Sequence, residues 1–417
     1  MPATEYQGSF LGRISIRRNQ VVSMDGPHEQ ELEDLDLFQR NIADRFSELL
    51  PSSSPLPPPP PPADGAGEGD PSGPAPASAD APFLSVAWLR KLLDVFLCCE
   101  AEFKAFLIMG RERDPSVIAK APLDRLLPEL LDRAVKALDV CNAVMHGVDA
   151  VRHCQKLSEI AVAALEQQPI GEGQARRAKK ALGSMMTVLA AEDKESSGHK
   201  STERTWSFGR RGSSAGANKD RSAAVQFRTL SWGVSKNWSA SKQIQAMSAN
   251  LAMPRGAEAS GLALPVYIMG AITVFVMSAL VAAIPCQERT GLAMHLQVPK
   301  QFTWAQPMTA LQEKIGEEWK RKEKRGAAGL MEEVQRMERL GQALAEFADS
   351  FQFPSEGERA EEAVARAAEL AETCRKMEEG LVPLQMQIRE VFHRIVRSRS
   401  EVLDVLDQAG KLSAPTM

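Results

Sequence analysis

A chain of 417 residues can hold two or three ordinary domains, and its 44% apolar composition is enough for a sizeable core. The formal net charge is -4, so binding to nucleic acid or to an anionic membrane would require a local basic patch rather than the whole surface. The six cysteines form no CxxC pair and no cluster with histidine, which predicts reduced thiols and no metal site.

The amino-terminal segment, residues 1–50, contains one amphipathic helix. From Glu29 to Leu50, apolar side chains recur at three- and four-residue steps, the period of one helix face. Such a face needs a surface to cover it, and two alternatives remain open: another protein binds it, or it folds back on the chain's own helices. The candidate partner-binding residues of this face are Leu35, Phe38, Ile42 and Phe46.

Proline dominates the next stretch, residues 51–82, which includes LPPPPPP followed by Gly, Ala, Ser and Asp. This composition buries little apolar area, so we interpret it as a linker. Residues 83–191 return to a helical period and predict a bundle of three or more antiparallel helices. The expected breaks between these helices lie at Asp114, Pro122, Pro128 and Pro169.

Residues 192–258 form a basic, serine-rich segment that we expect to be flexible. From His199 to Gln243 there are nine Lys or Arg residues against two acidic ones, a local charge of +7. Ser213 and Ser231 each follow an arginine by two or three positions, the arrangement that basophilic kinases read by charge pairing. These two serines are therefore candidate phosphorylation sites.

A very hydrophobic helix is predicted within residues 259–287, where LPVYIMGAITVFVMSALVAAIP contains no charged residue. The 19 residues between Pro265 and Pro285 give about 28 Å of helix, close to the roughly 30 Å hydrocarbon core of a bilayer. The side chains that would meet lipid include Val266, Tyr267, Ile268, Val274, Phe275, Val276, Leu280 and Ile284.

Two environments suit this helix. The basic segment before it favours a single transmembrane span with the amino-terminal half in the cytoplasm. Its glycine, serine, threonine and several alanines make it only moderately hydrophobic, and a helix apolar on all sides also occurs at the centre of a large soluble bundle. The alternatives are a membrane protein and a cytosolic protein.

Residues 300–412 predict a long antiparallel helical hairpin, with helices over Thr309–Phe351 and Glu358–Leu412. Pro383 lies inside the second helix and predicts a kink or a restart there. The short connection favours a hairpin within one chain over a coiled coil between chains. The heptad positions of the second helix are Met377, Leu381, Leu384, Ile388, Val391, Ile395 and Val402.

These segments together predict an all-α protein: a helical bundle with a long C-terminal hairpin, one very hydrophobic helix and disordered linkers. The chain contains no glycine-rich phosphate loop, no GxSxG elbow and no HExxH motif, so we predict no enzyme, no cofactor and no small-molecule substrate. His146 and His153 share a helix face, but two turns of separation are poor metal-chelating geometry. Nucleic-acid binding is also not expected, because no platform presents the aromatic residues of the basic segment.

Four blocks of the sequence resemble the plant ROH family, a branch related to the BYPASS proteins. They are MPATEYQGSFLGRISIRRNQVVSMDGPHEQELEDLDLFQRNIADRFSEL at the amino terminus, LSWGVSKNWSASKQIQAM, LPVYIMGAITVFVMSALVAAIPCQE and FTWAQPMTALQEKIGEEWKRKEK. The resemblance implies a helical, non-enzymatic interaction or regulatory protein. It also implies association with a tethering subunit of the exocyst and a role in polarised secretion, such as cell-wall or mucilage deposition. A soluble signalling protein, regulated by phosphorylation and with the hydrophobic helix buried, is the alternative.

Overall fold

The computed structural model of the chain describes residues 26–51, 81–113, 118, 120–167, 170–190, 239–249, 251–254, 256, 261–286, 296–325, 329–350 and 357–413. Most of the proline-rich linker and of the basic segment lies outside these residues, so their flexibility stays a prediction. The described residues form helices and no strand, which confirms the all-α prediction for this part of the chain. The helices are α1 Gly26–Ser47, α2 Val86–Arg113, α3 Leu123–Leu165, α4 Glu172–Ala190, α5 Ala240–Ala249, α6 Ala263–Ala283, α7 Ala305–Arg325, α8 Glu332–Asp349 and α9 Gly357–Ser413.

Long helices α2, α3 and α9 form the frame of the bundle, with α9 packed along both of the others. Helix α4 lies between α3 and α8, while α6 packs on α2, α3, α5 and α7, and α1 packs on α2 and α7. Each of the nine helices contributes buried side chains to one contiguous apolar cluster. The described helices therefore share one core, and the segment boundaries stay a prediction.

The C-terminal hairpin is formed by α8 and α9. Arg336 of α8 lies 3.5 Å from Glu369 of α9, while Phe347, later in α8, lines a groove with Arg359 near the start of α9, so the two helices run antiparallel. The first predicted helix, Thr309–Phe351, is in fact two helices, α7 and α8. The heptad positions of α9 are buried.

Two prolines lie inside continuous helices, at positions where the sequence predicts a break for Pro128 and a kink or restart for Pro383; the break and the restart do not occur. Helix α9 continues through Pro383, because Leu381 and Leu384 on either side of it are buried in the core. Pro128 is the sixth residue of α3, near the start of a 43-residue helix, where it removes a single backbone hydrogen bond. Packing of a long helix on its neighbours outweighs that loss in both places.

Candidate interaction surfaces around the apolar helix

Helix α6 lies at the centre of the bundle, and all 21 of its residues are buried. It is the only helix in the described ranges that is long and apolar enough to cross a membrane, by length and composition alone, with a mean hydropathy of 2.2. The eight side chains predicted to face lipid are each at most 3% exposed, and they contact protein. Phe275, for example, lies edge-on to Phe46 of α1, with ring centroids 5.4 Å apart.

The carboxyl end of α6 is closed by a distant part of the chain. Leu330 and Met331, just before α8, donate backbone hydrogen bonds to the carbonyls of Ala282 and Ala283 at 3.1 and 2.9 Å. Gly329 permits this approach, since a Cβ atom there would lie 2.7 Å from the Ala283 carbonyl oxygen. The last carbonyls of a helix have no partner within it, so this contact satisfies groups that would otherwise need water.

Two polar side chains of α6, Thr273 and Ser278, are satisfied within the helix. The hydroxyl of Thr273 donates to the Met269 carbonyl at 2.8 Å, and that of Ser278 donates to the Val274 carbonyl at 2.7 Å. Satisfied hydroxyls of this kind suit a dry protein core and a lipid bilayer equally well. They do not distinguish the two environments.

The candidate partner-binding face of α1 is covered by the chain itself. Phe38, Ile42 and Phe46 are fully buried, and the Phe38 ring lies 5.2 Å from that of Phe106 on α2. Of the two alternatives left open by the sequence, the structure contains the folded-back helix. A partner could reach Leu35, Phe38, Ile42 and Phe46 only by displacing α1 from the core.

Polar contacts also hold α1 against α2, and Asn41 donates to the Glu102 carboxylate at 3.4 Å. Arg45 donates to the Glu102 carboxylate at 2.5 Å, and the indole of Trp88 donates to the Leu49 carbonyl at 2.8 Å. The Glu102 side chain is only 6% exposed, so the loss of Arg45 would leave a buried charge without its ionic partner. These contacts attach α1 to the bundle by more than apolar packing.

Buried charges also join α9 to α2. Arg394 donates to the Glu100 carboxylate at 3.0 Å, and the Glu100 side chain is 5% exposed. Burial raises the pKa of Glu100, and the positive charges of Arg394 and Lys104 offset part of that effect. A cavity of about 40 Å³ lies beside this pair, between Phe103, Thr273 and Arg399, and has room only for a few water molecules.

The described residues contain no group of three or more His, Cys, Asp or Glu side chains placed to hold a metal ion. The six cysteines are free thiols, and burial raises the pKa of Cys99, Cys141, Cys154 and Cys374 to about 12. Thiols of this kind are unreactive at neutral pH.

Two further features concern the candidate phosphorylation sites and the outer face of α9. Ser213 and Ser231 lie outside the described residues, so phosphorylation there stays a prediction. The heptad pattern of the sequence predicts the buried face of α9 and no role for its outer face. Its signal is a second heptad row, in which Val382, Val396 and Leu403 are exposed.

The family model for ROH1-like proteins ("Protein ROH1-like") matches residues 1–406 of this chain. The chain belongs to the ROH1-like family. It is 58% identical to Protein ROH1A of Arabidopsis thaliana, with the whole of both chains covered. It is 40% identical to Protein ROH1D of the same plant, over 97% of this chain and 98% of the relative. No solved structure matches the chain.

Membership of the ROH1-like family extends across every helix that contacts α6. The matched range includes α1 at one end and nearly all of α9 at the other. The packing around α6 is thus built from elements that all lie within the family match.

Proposed function

We propose that this chain is a non-enzymatic interaction protein that binds a tethering subunit of the exocyst and acts in polarised secretion, such as cell-wall or mucilage deposition. Membership of the ROH1-like family over residues 1–406 supports the proposal. The partner itself is what the family resemblance implies. The described residues form closely packed helices, and the cavity beside Glu100 has room only for a few water molecules, so we expect proteins to bind on the outer faces.

The same proposal places the protein in the cytosol, with α6 as the centre of a soluble bundle. The observation that carries this step is the enclosure of α6 on all sides by helices from both halves of the chain. A transmembrane α6 would put α9 on the opposite side of the membrane from α2 and α3. That arrangement would expose the apolar faces that these three helices now bury together.

A cytosolic bundle changes where the exocyst subunit can bind. With a membrane span, only the amino-terminal half would reach a cytosolic partner; without one, the outer faces of α2, α3, α7, α8 and α9 are all available. The apolar faces of α1 and the heptad face of α9 are buried, so binding through them would require unfolding. We therefore place the partner on an outer face.

Alkaline-carbonate extraction of plant membranes tests the location. We expect the chain in the soluble fraction, while a marker protein with a known span stays in the pellet. Retention of the chain with the marker would contradict the cytosolic bundle. It would return the topology to a single-pass protein with a cytoplasmic amino-terminal half.

Size-exclusion chromatography of the purified chain with a purified exocyst tethering subunit tests the partner. We expect the two proteins to elute together, and a loss of this complex when the folded chain is omitted or heat-denatured. Separate elution at micromolar concentrations would contradict the proposed partner while leaving the location unaffected.

A soluble signalling protein is the second candidate function. The burial of α6 supports it as well as it supports a cytosolic exocyst-binding protein. The regulatory element of the signalling protein is the basic segment with Ser213 and Ser231. Glu substitution at both serines should weaken sedimentation with anionic liposomes, because it removes part of the local positive charge. Unchanged sedimentation would contradict the proposed switch.

A further inference from the structure

The outer face of α9 carries a row of exposed apolar side chains. Eight large apolar side chains are exposed among the described residues, and four of them lie on this one helix: Val382, Met386, Val396 and Leu403. At 3.6 residues per turn these four fall within about a third of the helix circumference. The row is roughly 32 Å long, and we call it the α9 stripe.

The orientation of the α9 stripe is set by two glutamines beside Met386. Gln385 contacts α3, donating to Asp149 at 3.1 Å, and Gln387 contacts α2, donating to Asp94 at 2.6 Å. Met386 lies between these two attachments and is 64% exposed. The bundle therefore holds the stripe as a ridge that faces away from the core.

Two arginines on the same face have no ionic partner. Arg389 and Arg397 are exposed and form no ion pair with any residue that the structure describes. Arg394, by contrast, is paired with Glu100 and Glu390. The α9 stripe thus combines apolar side chains with two positive charges that are free to meet negative ones.

A second copy of this chain does not suit the stripe. A two-fold pairing about its centre brings Arg389 of each copy beside Arg397 of the other, and a parallel pairing in register brings each arginine opposite itself. Like charges in these positions repel.

A membrane surface suits it no better. Two free arginines fall short of the about four to eight basic residues that mark sites for anionic lipid. The stripe is also a single narrow row, and exposed Asp404 lies next to its carboxyl end.

We infer that the α9 stripe binds an amphipathic helix of a partner protein, about 20 residues long, with acidic residues flanking its apolar side. A helix of that length matches the stripe, its apolar side covers Met386 and Val396, and its carboxylates pair with Arg389 and Arg397. This inference rests on the proposed function, which places the partner on an outer face of the bundle without choosing which one. The stripe supplies one, and its chemistry holds for any protein that presents such a helix.

Fluorescence anisotropy with the full chain tests this surface. The probe is a labelled three-heptad peptide with Leu at the core positions and Glu at the flanking ones, and its matched counterpart has Lys in place of Glu. We expect the acidic peptide to bind the wild-type chain and the basic peptide not to bind. The double variant R389E/R397E should bind the acidic peptide at least about tenfold more weakly and should gain binding of the basic one.

Variants of exposed apolar residues complete the test. M386E and V396E should each weaken the acidic peptide's binding, while V135E and I160E, at exposed apolar positions on α3, should leave it unchanged. All four sites are exposed, so circular dichroism should show folded chains. Equal binding of both peptides, or no effect of R389E/R397E, would overturn the inference. So would a wild-type dimer that M386E dissociates, or binding to anionic vesicles in place of the acidic peptide.

Discussion

Some single residues inside the bundle are constrained in charge or in size by the helices packed against them, and not by their own helix. Glu100 is the clearest charged example, since its carboxylate is buried beside Arg394. Its pKa is raised by burial, so the folded chain holds this proton more tightly than the unfolded chain does. The stability that Glu100 contributes is therefore greatest at low pH and is lost as the pH rises through its folded-state pKa.

The substitution E100Q tests this sign. The glutamine side chain has a similar size but does not titrate. The unfolding free energy of E100Q minus that of the wild type should therefore increase between about pH 4 and about pH 7. Urea unfolding at several pH values measures it. E372Q is the control, because Arg375 lowers the pKa of the exposed Glu372 to about 2 and the trend there should be weak and opposite. A pH-independent difference for E100Q would contradict the prediction.

Two helical glycines test how closely their helices pack on neighbouring parts of the chain. A Cβ at Gly147 of α3 would lie 2.4 Å from the Pro285 carbonyl oxygen, just after α6, whereas a Cβ at Gly183 of α4 would meet nothing within 4 Å. We expect G147A to lower the unfolding free energy by about 1–3 kcal/mol through overpacking. G183A should raise it by about 0.5–1 kcal/mol through helix propensity. Chemical denaturation measures both, and equal effects would show that the approach of α3 to α6 is not tight.

Among the helices, α6 and α9 differ in how much of their apolar surface the neighbouring helices cover. Helix α6 is apolar on every side and is enclosed on every side. Helix α9 has one buried face toward α2 and α3 and a second, sparser apolar row facing outward. Apolar surface of a helix that its neighbours leave uncovered is a candidate binding surface.

Replacing Val276 of α6 by Arg should destabilise the folded chain. Val276 is fully buried, and an arginine there would place an unpaired charge in the core at a cost on the order of 3–5 kcal/mol. We expect a lower melting temperature and reduced soluble yield. I160R, on the exposed face of α3, is the control and should change the unfolding free energy by less than about 0.5 kcal/mol. A stable V276R chain that merely leaves the membrane fraction would instead indicate a transmembrane α6.

For the molecule as a whole, the shared core is the decisive property. Trp88 of α2, Trp304 beside α7 and the heptad side chains of α9 belong to the same contiguous apolar cluster, although more than 300 residues separate the first from the last. The two halves of the chain should therefore depend on each other for folding.

We expect tryptophan fluorescence and far-UV circular dichroism to report the same urea transition, because loss of any part of the core removes support from the rest. Fragments 1–250 and 300–417 should each be largely unfolded when expressed alone, since both lack α6. Two separate transitions, or a cooperatively folded fragment, would contradict a single shared core.

The sequence by itself determined the helical class, the ROH family resemblance, the buried heptad face of α9 and the apolar character of α6. These properties depend on composition and on a period of three to four residues, which any helix of this sequence would show. The sequence also indicated that the helix from Glu29 to Leu50 has an apolar face, without saying what covers it.

Only the tertiary structure decided what lies against those faces. Lipid tails and leucine side chains are equally apolar, so the composition of α6 suits both a bilayer and a core, and the backbone contacts of Leu330 and Met331 with its end come from a distant segment. The burial of Phe38 and Phe46 likewise depends on where α2 and α6 approach α1. The continuity of α9 through Pro383 depends on packing on both sides of that residue, because tertiary contacts outweigh the loss of one local hydrogen bond.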